Sequence, residues 1–391
     1  MTPLFLLGAL AISLCIAGLL EFQFHNRSLN LIPIRIHVNG TRGKSSVTRL
    51  IAAGLREGGM RTFAKTTGTA PRVIDHEGKD RIIHRLRLPS IGEQVRLLRY
   101  FSTQKPDAVV IECMAVQPQY QWIAEHQMVK SHIGVVTNVR PDHLEEMGPT
   151  DDDVAFSLCN TVPVNGVLIT AEEQKPNILK AVANRNNSKI INSNSKEISE
   201  QEINSFKYME HPSNIAVALD VCKEVGIKRE TALKGMYKVQ PDAGALIAWN
   251  LILKSNKYTF INGMAANDPV STLDIWKHIN GKYGLKKNTC VFLNSREDRP
   301  VRTTQMIKLA LENIKPNNLI IRGNKLTKVI NELSALSPNT KIQTFDLEEP
   351  LEISIQLIQS IPNNSLIYAI GNQVGAGQEI LKLISRLRIN D

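Results

Sequence analysis

The longest apolar run opens the chain. From Pro3 to Leu20 (PLFLLGALAISLCIAGLL) there is no charged side chain. With Met1 and Thr2 it is long enough to cross a bilayer as a helix, at about 1.5 Å rise per residue. A cleaved signal peptide is the competing reading, but no basic segment precedes the run and no clear A-x-A site comes before Glu21. The first basic residues, Arg27, Arg35, Arg42 and Lys44, follow it. The positive-inside rule then places the rest of the chain in the cytoplasm.

Beyond Asn30 the pattern alternates between short apolar runs and stretches with helical spacing. IPIRIHVN reads as a strand entering a glycine-containing loop. SSVTRLIAAGLREGGM reads as a helix stopped by Gly58 and Gly59. RTFAKTTGT is a strand and a Thr/Gly turn. PSIGEQVRLLRYFSTQ is a helix with Ser90 as N-cap and Glu93 three residues on, the spacing of a capping box. DAVVIECMAV, SHIGVVTNV, NGVLIT and SKII read as further strands. Residues 182–206 are rich in Asn and Ser and read as irregular structure around one short strand. HPSNIAVALDVCKEVGI is a striped helix, and KVQPDAGAL, 238–246, carries the Pro, Asp and Gly of a domain junction. NTCVFLN, NLIIRG and SLIYAI then repeat the strand–helix alternation.

This order predicts α/β architecture with mostly parallel sheets and helices on both faces. The expected division is an anchor over 1–25, a first α/β domain over 26–243 and a second over 244–391. In such sheets ligands bind at the carboxyl ends of the strands. Lys44, Glu112, Asn138 and His143 all fall there.

Composition adds two points. Lys and Arg outnumber Asp and Glu by 47 to 37, a net charge of +10 that suits an anionic partner or simply solubility. The five cysteines are scattered with no C-x-x-C pair, which argues against a disulfide framework or a zinc site.

The chemistry begins at HVNGTRGKSSVTRL, 37–50. Gly43-Lys44-Ser45 matches the end of a phosphate-binding loop, but Val38 stands where the first glycine of G-x-x-x-x-G-K-[ST] would be. Gly40, Thr41, Arg42, Gly43 and Ser46 complete the loop. Backbone N–H groups at a helix N-terminus bind phosphate, Lys44 would add charge, and the Ser45 hydroxyl would reach magnesium. Lys65-Thr66-Thr67-Gly68-Thr69 is a second polar loop, either a phosphate or substrate contact or a hydrogen-bonded turn. Glu112 closes an apolar run, where a carboxylate must be exposed or paired: a metal ligand, a water-holding group or an ion pair. Asn138, Asp142 and His143 share a loop, and a neutral imidazole beside a carboxylate can ligate a divalent metal.

Together these residues resemble the Mur ligase and folylpolyglutamate synthetase superfamily. G-T-R-G-K-S-S is similar to that superfamily's G-T-x-G-K-[ST] loop, which also lacks the first glycine. T-N-V-R-P-D-H-L resembles its T-N-x-x-x-D-H-L motif. HPSNIAVAL resembles its adenine-contacting helix, with Asn214 in the matching place. A narrower resemblance, over nearly the whole chain, is to catalytic subunits of poly-γ-glutamate synthases of the CapB or PgsB type. It rests on the apolar N-terminus, N-G-x-R-G-K-S, K-T-T-G-T, I-G-E-Q at 91–94, E-C-M-A-V, D-H-x-x-x-M-G-P-T, A-A-N-D followed by S-T, R-x-D-R and G-N-x-x-G.

The resemblance implies a Mur-ligase-like P-loop ATPase domain with a mostly parallel sheet, a second Rossmann-like α/β domain and one N-terminal transmembrane helix. It implies an ATP- and Mg²⁺-dependent ligase that forms γ-glutamyl amide bonds through an acyl phosphate, with the nucleotide between the two domains. Lys44 would stabilise the γ-phosphate. Ser45, Glu112 and His143 would hold magnesium directly or through water. Asn138 would support the loop, Asn214 would read adenine and Asp268 would meet the ribose. Arg296, Arg299 and Arg302, in NSREDRPVRT, would bind carboxylates of an anionic poly-γ-glutamate acceptor or nucleotide phosphates, unless they form a solvated basic loop. Expected partners are glutamate and small membrane subunits of a synthase or export complex, with no nucleic acid. The expected location is the cytoplasmic membrane, single-pass, catalytic domains inside. Oligomeric state stays open. Two alternatives remain: another amino acid ligase of the superfamily, or a P-loop ATPase serving an export complex.

The sequence also departs from the superfamily. Mur ligases usually carry a carbamylated lysine some fifteen residues after the histidine, whereas no lysine lies between Lys130 and Lys175. Asp151, Asp152 and Asp153 are the nearby carboxylates. QPDAGA, 240–245, lacks the Mur domain-junction arginine. No counterpart of the UDP-binding first domain is seen.

Overall fold

The structure is a computed structural model that describes residues 3–67, 71–85, 90–206, 208–241, 248–264, 266, 268–284, 288–373 and 376–389. Gly68 and Thr69 of the Thr/Gly turn, residues 242–247 of the expected junction, Ala265 and Asn267 of A-A-N-D, and Gly375 lie outside the described residues. The chain divides into two compact units, Met1–Phe206 with Glu210–Asp242, and Lys207–Met209 with Ala243–Asp391.

The first unit holds an eight-stranded sheet. Its strands are β1 (Ile34–Asn39), β2 (Thr62–Thr66), β3 (Arg72–Ile74), β4 (Asp80–Ile82), β5 (Ala108–Glu112), β6 (Ile133–Val136), β7 (Val167–Thr170) and β8 (Lys189–Asn192). The spatial order is β4-β3-β2-β5-β1-β6-β7-β8. All neighbours are parallel except the β2–β3 and β3–β4 pairs. The central strand β1 is flanked by β5 on one side and β6 on the other. The register sets Val38 beside Glu112 and Asn39 beside Val136. Three strand ends therefore meet around the loop that leaves β1.

The expected strands and helices before Asn138 form where their apolar residues repeat. In the helix Lys44–Glu57, Val47, Leu50, Ile51 and Leu55 are buried, one stripe at three- and four-residue spacing. Two features differ from the sequence reading. The β3–β4 hairpin was not foreseen, because strands of three residues carry too little alternation to register. The helix Gly92–Thr103 has Ile91 at its N-cap and no side-chain cap. Glu93 does not reach back to Ser90. It turns instead to Arg85 and to the buried ammonium of Lys65, because a charge taken out of water requires a counter-charge more than a helix end requires a cap.

The helix Pro3–Asn30 runs through the apolar segment. Its side chains from Phe5 to Phe24 are exposed, whereas His25 and Leu29 are buried against the sheet unit. Leu29 and Ile32 join Leu98, Phe101, Val109 and Val129 in one apolar cluster.

Beneath the loop, on β1, the fully buried His37 meets Glu125 at 2.7 Å through Nδ1. Glu125 also accepts hydrogen bonds from the N–H and hydroxyl of Ser131. Burial disfavours charge on His37, but hydrogen bonds to Cys113 and Glu125 outweigh it and raise its pKa from 6.5 to about 9. A pKa raised by folding means that this stabilisation is complete below about 6.5 and is lost as pH rises through about 9. We expect the wild type to lose on the order of 2–3 kcal/mol across that window. Denaturant unfolding at both ends of the window checks this, and His37→Gln should flatten the pH dependence.

The second unit holds a six-stranded sheet of β9 (Ala248–Leu253), β10 (Asn256–Asn262), β11 (Thr289–Asn294), β12 (Asn318–Arg322), β13 (Lys341–Phe345) and β14 (Ser365–Gly371). The order is β13-β12-β11-β14-β10-β9, parallel except for β9 on β10. Alternate residues feed opposite faces: Val291, Leu293 and Tyr368 join one core, and Phe292, Ile320 and Ile367 the other. The sequence reading found β11, β12 and β14 but not the β9–β10 hairpin or β13.

Candidate functional site

The loop from β1 into the helix Lys44–Glu57 is shaped by two glycines. Gly40 has φ +129° and Gly43 has φ +81°, values that side-chain-bearing residues rarely adopt. Both are also pressed by neighbours. A Cβ on Gly40 would lie 2.0 Å from Thr137 Oγ1, and one on Gly43 would lie 2.5 Å from Asn214 Oδ1. Gly43→Ala should therefore destabilise the protein by about 1–3 kcal/mol and weaken nucleotide binding, read as a lower Tm and a lost ADP-induced Tm shift.

Asn138, just past β6, clamps the loop. Its Oδ1 accepts from Thr41 Oγ1 at 2.7 Å and from the Arg42 N–H at 3.1 Å. Its Nδ2 donates to the Arg42 carbonyl at 3.1 Å, and the Thr137 hydroxyl donates to the same carbonyl at 2.6 Å. The Arg42 guanidinium approaches Asp142 at 3.5 Å. Thr137 opens the T-N-V-R-P-D-H-L segment, but nothing in the sequence signalled that its hydroxyl would hold the loop.

On the other side, Glu112 is 2% exposed. Its Oε2 accepts from Ser45 Oγ at 2.9 Å and from the Thr67 N–H at 2.6 Å. The loop and the K-T-T turn thus converge on one carboxylate. The Lys44 ammonium folds back onto the carbonyls of Gly40 and Thr41, at 2.6 and 3.3 Å. Ser46 is half-buried in the first turn of the helix.

Behind Glu112 lies a charge cluster that the sequence did not reveal. Lys65 is fully buried and stands 3.4 Å from Glu93. Arg85 binds both oxygens of Glu93, at 2.7 and 3.0 Å. Burial pulls the Lys65 pKa down, against the pull of Glu93 and Glu112. Burial acts to raise Glu93, yet Arg85 and Lys65 prevail and hold it below the usual range. Lys65 is thus held as a buried counter-ion to Glu93. The signal was the I-G-E-Q segment, which holds both Glu93 and Gln94, whose amide donates to the Glu112 carbonyl at 3.4 Å.

The other expected residues have partners of their own. His143 caps a short helix in the left-handed conformation, φ 47°. Its imidazole is 45% exposed and faces Glu146 at 3.7 Å. The structure joins Ser45 to Glu112, and no group of three His, Cys, Asp or Glu is arranged to hold a metal among the described residues. Asn214 is buried, donating to Glu210 at 2.7 Å and packed on Gly43. Asp153 and Thr150 form a capping box, and Asp152 pairs with Lys175, so two of the three aspartates have structural partners. In the second unit Asp268 caps the helix Pro269–Ile279 through the Ser271 N–H. Arg296 is bidentate on Asp298. Arg299 is the residue before the helix Pro300–Leu309, and Arg302 lies in its first turn.

A parallel sheet whose central strand enters a left-handed glycine loop, with a carboxylate and an amide on the flanking strands, defines a Mur-ligase-type α/β protein. Residues 38–248 match the Mur ligase middle domain. Solved structures agree in fold: Mycobacterium tuberculosis folylpolyglutamate synthase complexed with ADP and AMPPCP has a TM-score of 0.66 at 14% identity, covering 96% of this chain and 99% of that one. The Yersinia pestis bifunctional folylpolyglutamate synthase/dihydrofolate synthase complexed with AMPPNP and Mn ion has a TM-score of 0.66 at 13% identity, covering 93% and 92%. Residues 251–387 match the poly-gamma-glutamate synthase CapB C-terminal domain. The chain is 36% identical over 392 residues to the capsule biosynthesis protein CapB of Bacillus anthracis, covering 99% of this chain and 84% of that one. It is 35% identical over 377 residues to the PGA synthase CapB of Bacillus subtilis (strain 168), covering 96% of each. This chain belongs to the CapB family, built on the Mur ligase fold.

Proposed function

We infer that the protein is an ATP-dependent amide ligase that joins glutamate units through γ-amide bonds. The observation that carries this reading is the Gly40–Ser45 loop clasped between Asn138 and Glu112 in a chain of the CapB family. A glutamate carboxylate oxygen attacks the γ-phosphorus of ATP, the bond to the bridging oxygen breaks and ADP leaves. The nitrogen of the incoming amine attacks the acyl phosphate carbon. The C–O bond to phosphate breaks, phosphate departs with the electron pair and the amine loses a proton to solvent. Loop N–H groups orient the phosphates, and Lys44 leaves its two carbonyl partners to meet the γ-phosphate.

A hard divalent cation fits the donors present: Ser45 Oγ and the Glu112 carboxylate are both oxygen and 2.9 Å apart. We assign Mg²⁺ to them, with His143 as a further ligand only if its exposed loop moves. When bound, the ion supplies charge neutralisation on the transferring phosphoryl group. Asn214, wedged on Gly43, fits a role in setting loop shape as well as one at adenine. Residues 26–243 carry the nucleotide chemistry in this reading. Residues 244–391, through Arg296, Arg299 and Arg302, face the anionic acceptor.

The apolar helix is read as a membrane anchor over residues 1–25, with its uncharged run Pro3–Leu20 crossing the cytoplasmic membrane once, the catalytic domains inside and small membrane subunits as partners. The long exposed apolar face supports this.

The test is nucleotide turnover by membranes or purified protein given Mg-ATP and each amino acid in turn. Glutamate-dependent ADP and phosphate are expected. AMP would overturn the acyl phosphate route. ADP formed equally without amino acid would favour the ATPase reading, and dependence on another amino acid would move the protein within the superfamily.

A further inference from the structure

The apolar helix does not hang from a tether. Its last turns are fastened to one edge of the first sheet. Arg99 donates to the carbonyl and carboxylate of Glu21, at 3.1 and 3.3 Å. His25 Nε2 meets the Met128 carbonyl at 2.7 Å. Lys130 donates to Asn26 at 2.9 Å and stands 5.2 Å over the Phe22 ring. Arg35 donates to the carbonyls of Leu29, Ile32, Val129 and Lys130. Leu29 and Ile32 precede β1, and Met128 to Lys130 precede β6. These contacts therefore lie at the amino-terminal edge of the parallel strands.

That edge is basic beside the helix. Arg61 leads into β2, Lys105 into β5 and Lys130 into β6, and the exposed Arg27 lies on the helix itself. Among the described residues the nearby carboxylates are Glu21, held by Arg99, Asp107, which accepts the Arg61 N–H, and the buried Glu125, held by His37 and Ser131. The Gly40–Ser45 loop lies at the opposite edge. β1 has six residues, so about 20 Å of strand separates the two.

We propose that this amino-terminal sheet edge is a lipid-facing surface, with Lys105, Lys130, Arg61 and Arg27 against anionic headgroups and the catalytic edge turned away from the bilayer. The proposal rests on the reading of Pro3–Leu20 as a membrane span. Cations immediately flanking a span are attracted to anionic lipid within a Debye length of the surface. The docked helix base removes the freedom that would let the body turn over. Polymer chemistry then takes place on the cytoplasmic side of the sheet, and a chain bound for export must pass around the unit to reach the membrane.

The experiment is amine-reactive footprinting, read by mass spectrometry. The full chain is compared in detergent, in phosphatidylcholine vesicles and in vesicles containing phosphatidylglycerol. Lys105 and Lys130 should lose reactivity several-fold in the phosphatidylglycerol vesicles. Lys196, exposed beyond the carboxyl end of β8, should not change. A Lys105→Glu, Lys130→Glu variant should remain carbonate-resistant in the membrane yet lose the anionic-lipid dependence, measured as amide exchange protection over 104–107. Carbonate-resistant protein whose Lys105 and Lys130 react as in detergent would overturn the surface and leave the span. Protein washed out by carbonate would overturn the span itself. Protection seen only in native membranes would assign the surface to a protein subunit and overturn the lipid proposal.

Discussion

Replacing Lys44 by alanine should lower glutamate-dependent ADP formation by roughly 10³-fold, the scale of losing one preorganised charge at a phosphoryl transition state. The fold should survive. Lys44 is half-buried, and among the described residues its ammonium donates to the carbonyls of Gly40 and Thr41 in its own loop. Both residues are buried, so losing the ammonium removes one donor from two loop carbonyls, at a local cost of about 1–3 kcal/mol. The loss should fall mainly on kcat, because the loop N–H groups and the helix end still bind ground-state phosphates. Steady-state kinetics with ADP and AMP resolved gives the measurement, with ADP binding by calorimetry beside it. Unchanged turnover would remove Lys44 from the chemistry. Equal losses in ADP binding and kcat would make it a general anchor instead.

The second large effect is expected at Glu112. Glu112→Gln keeps an oxygen that can accept from Ser45 and the Thr67 N–H, so the loop geometry should persist. The charge disappears, however. Turnover should fall by about 10²-fold and the Mg²⁺ concentration needed for half-activity should rise. Stability should fall as well. Lys65 and Arg85 are matched by Glu93 and Glu112, and removing one carboxylate leaves excess buried positive charge. Glu112→Gln combined with Lys65→Met tests this. The pair should recover most of the lost Tm and none of the lost turnover, because stability depends on the balance of charge and catalysis on the carboxylate. Recovery of both would mean that Glu112 acts only as a counter-ion.

The two outcomes separate what was readable from what was not. The loop, its helix and the strands on either side follow from local rules: apolar runs of strand length, a 3.6-residue stripe and glycines before a helix. Glu112 and Asn138 could be placed at strand ends for the same reason. The resemblance added the expected chemistry, and CapB family membership stands on matches over nearly the whole chain.

Residue pattern and motif were enough for the alternation of strands and helices, the phosphate-loop segment, the apolar helix and the family. Which charges face one another emerges only from packing. Asn214 on Gly43, Arg85 on Glu93, Lys65 behind Glu112 and Lys130 against Phe22 are contacts between segments whose separation no local period encodes. His143 takes a left-handed turn and pairs with Glu146 on an exposed loop, an arrangement that its sequence neighbours do not encode. Local patterns fix which backbone forms. The pairing of buried charges depends on packing across the sheet, where low polarity makes each unmatched group costly and so selects its partner.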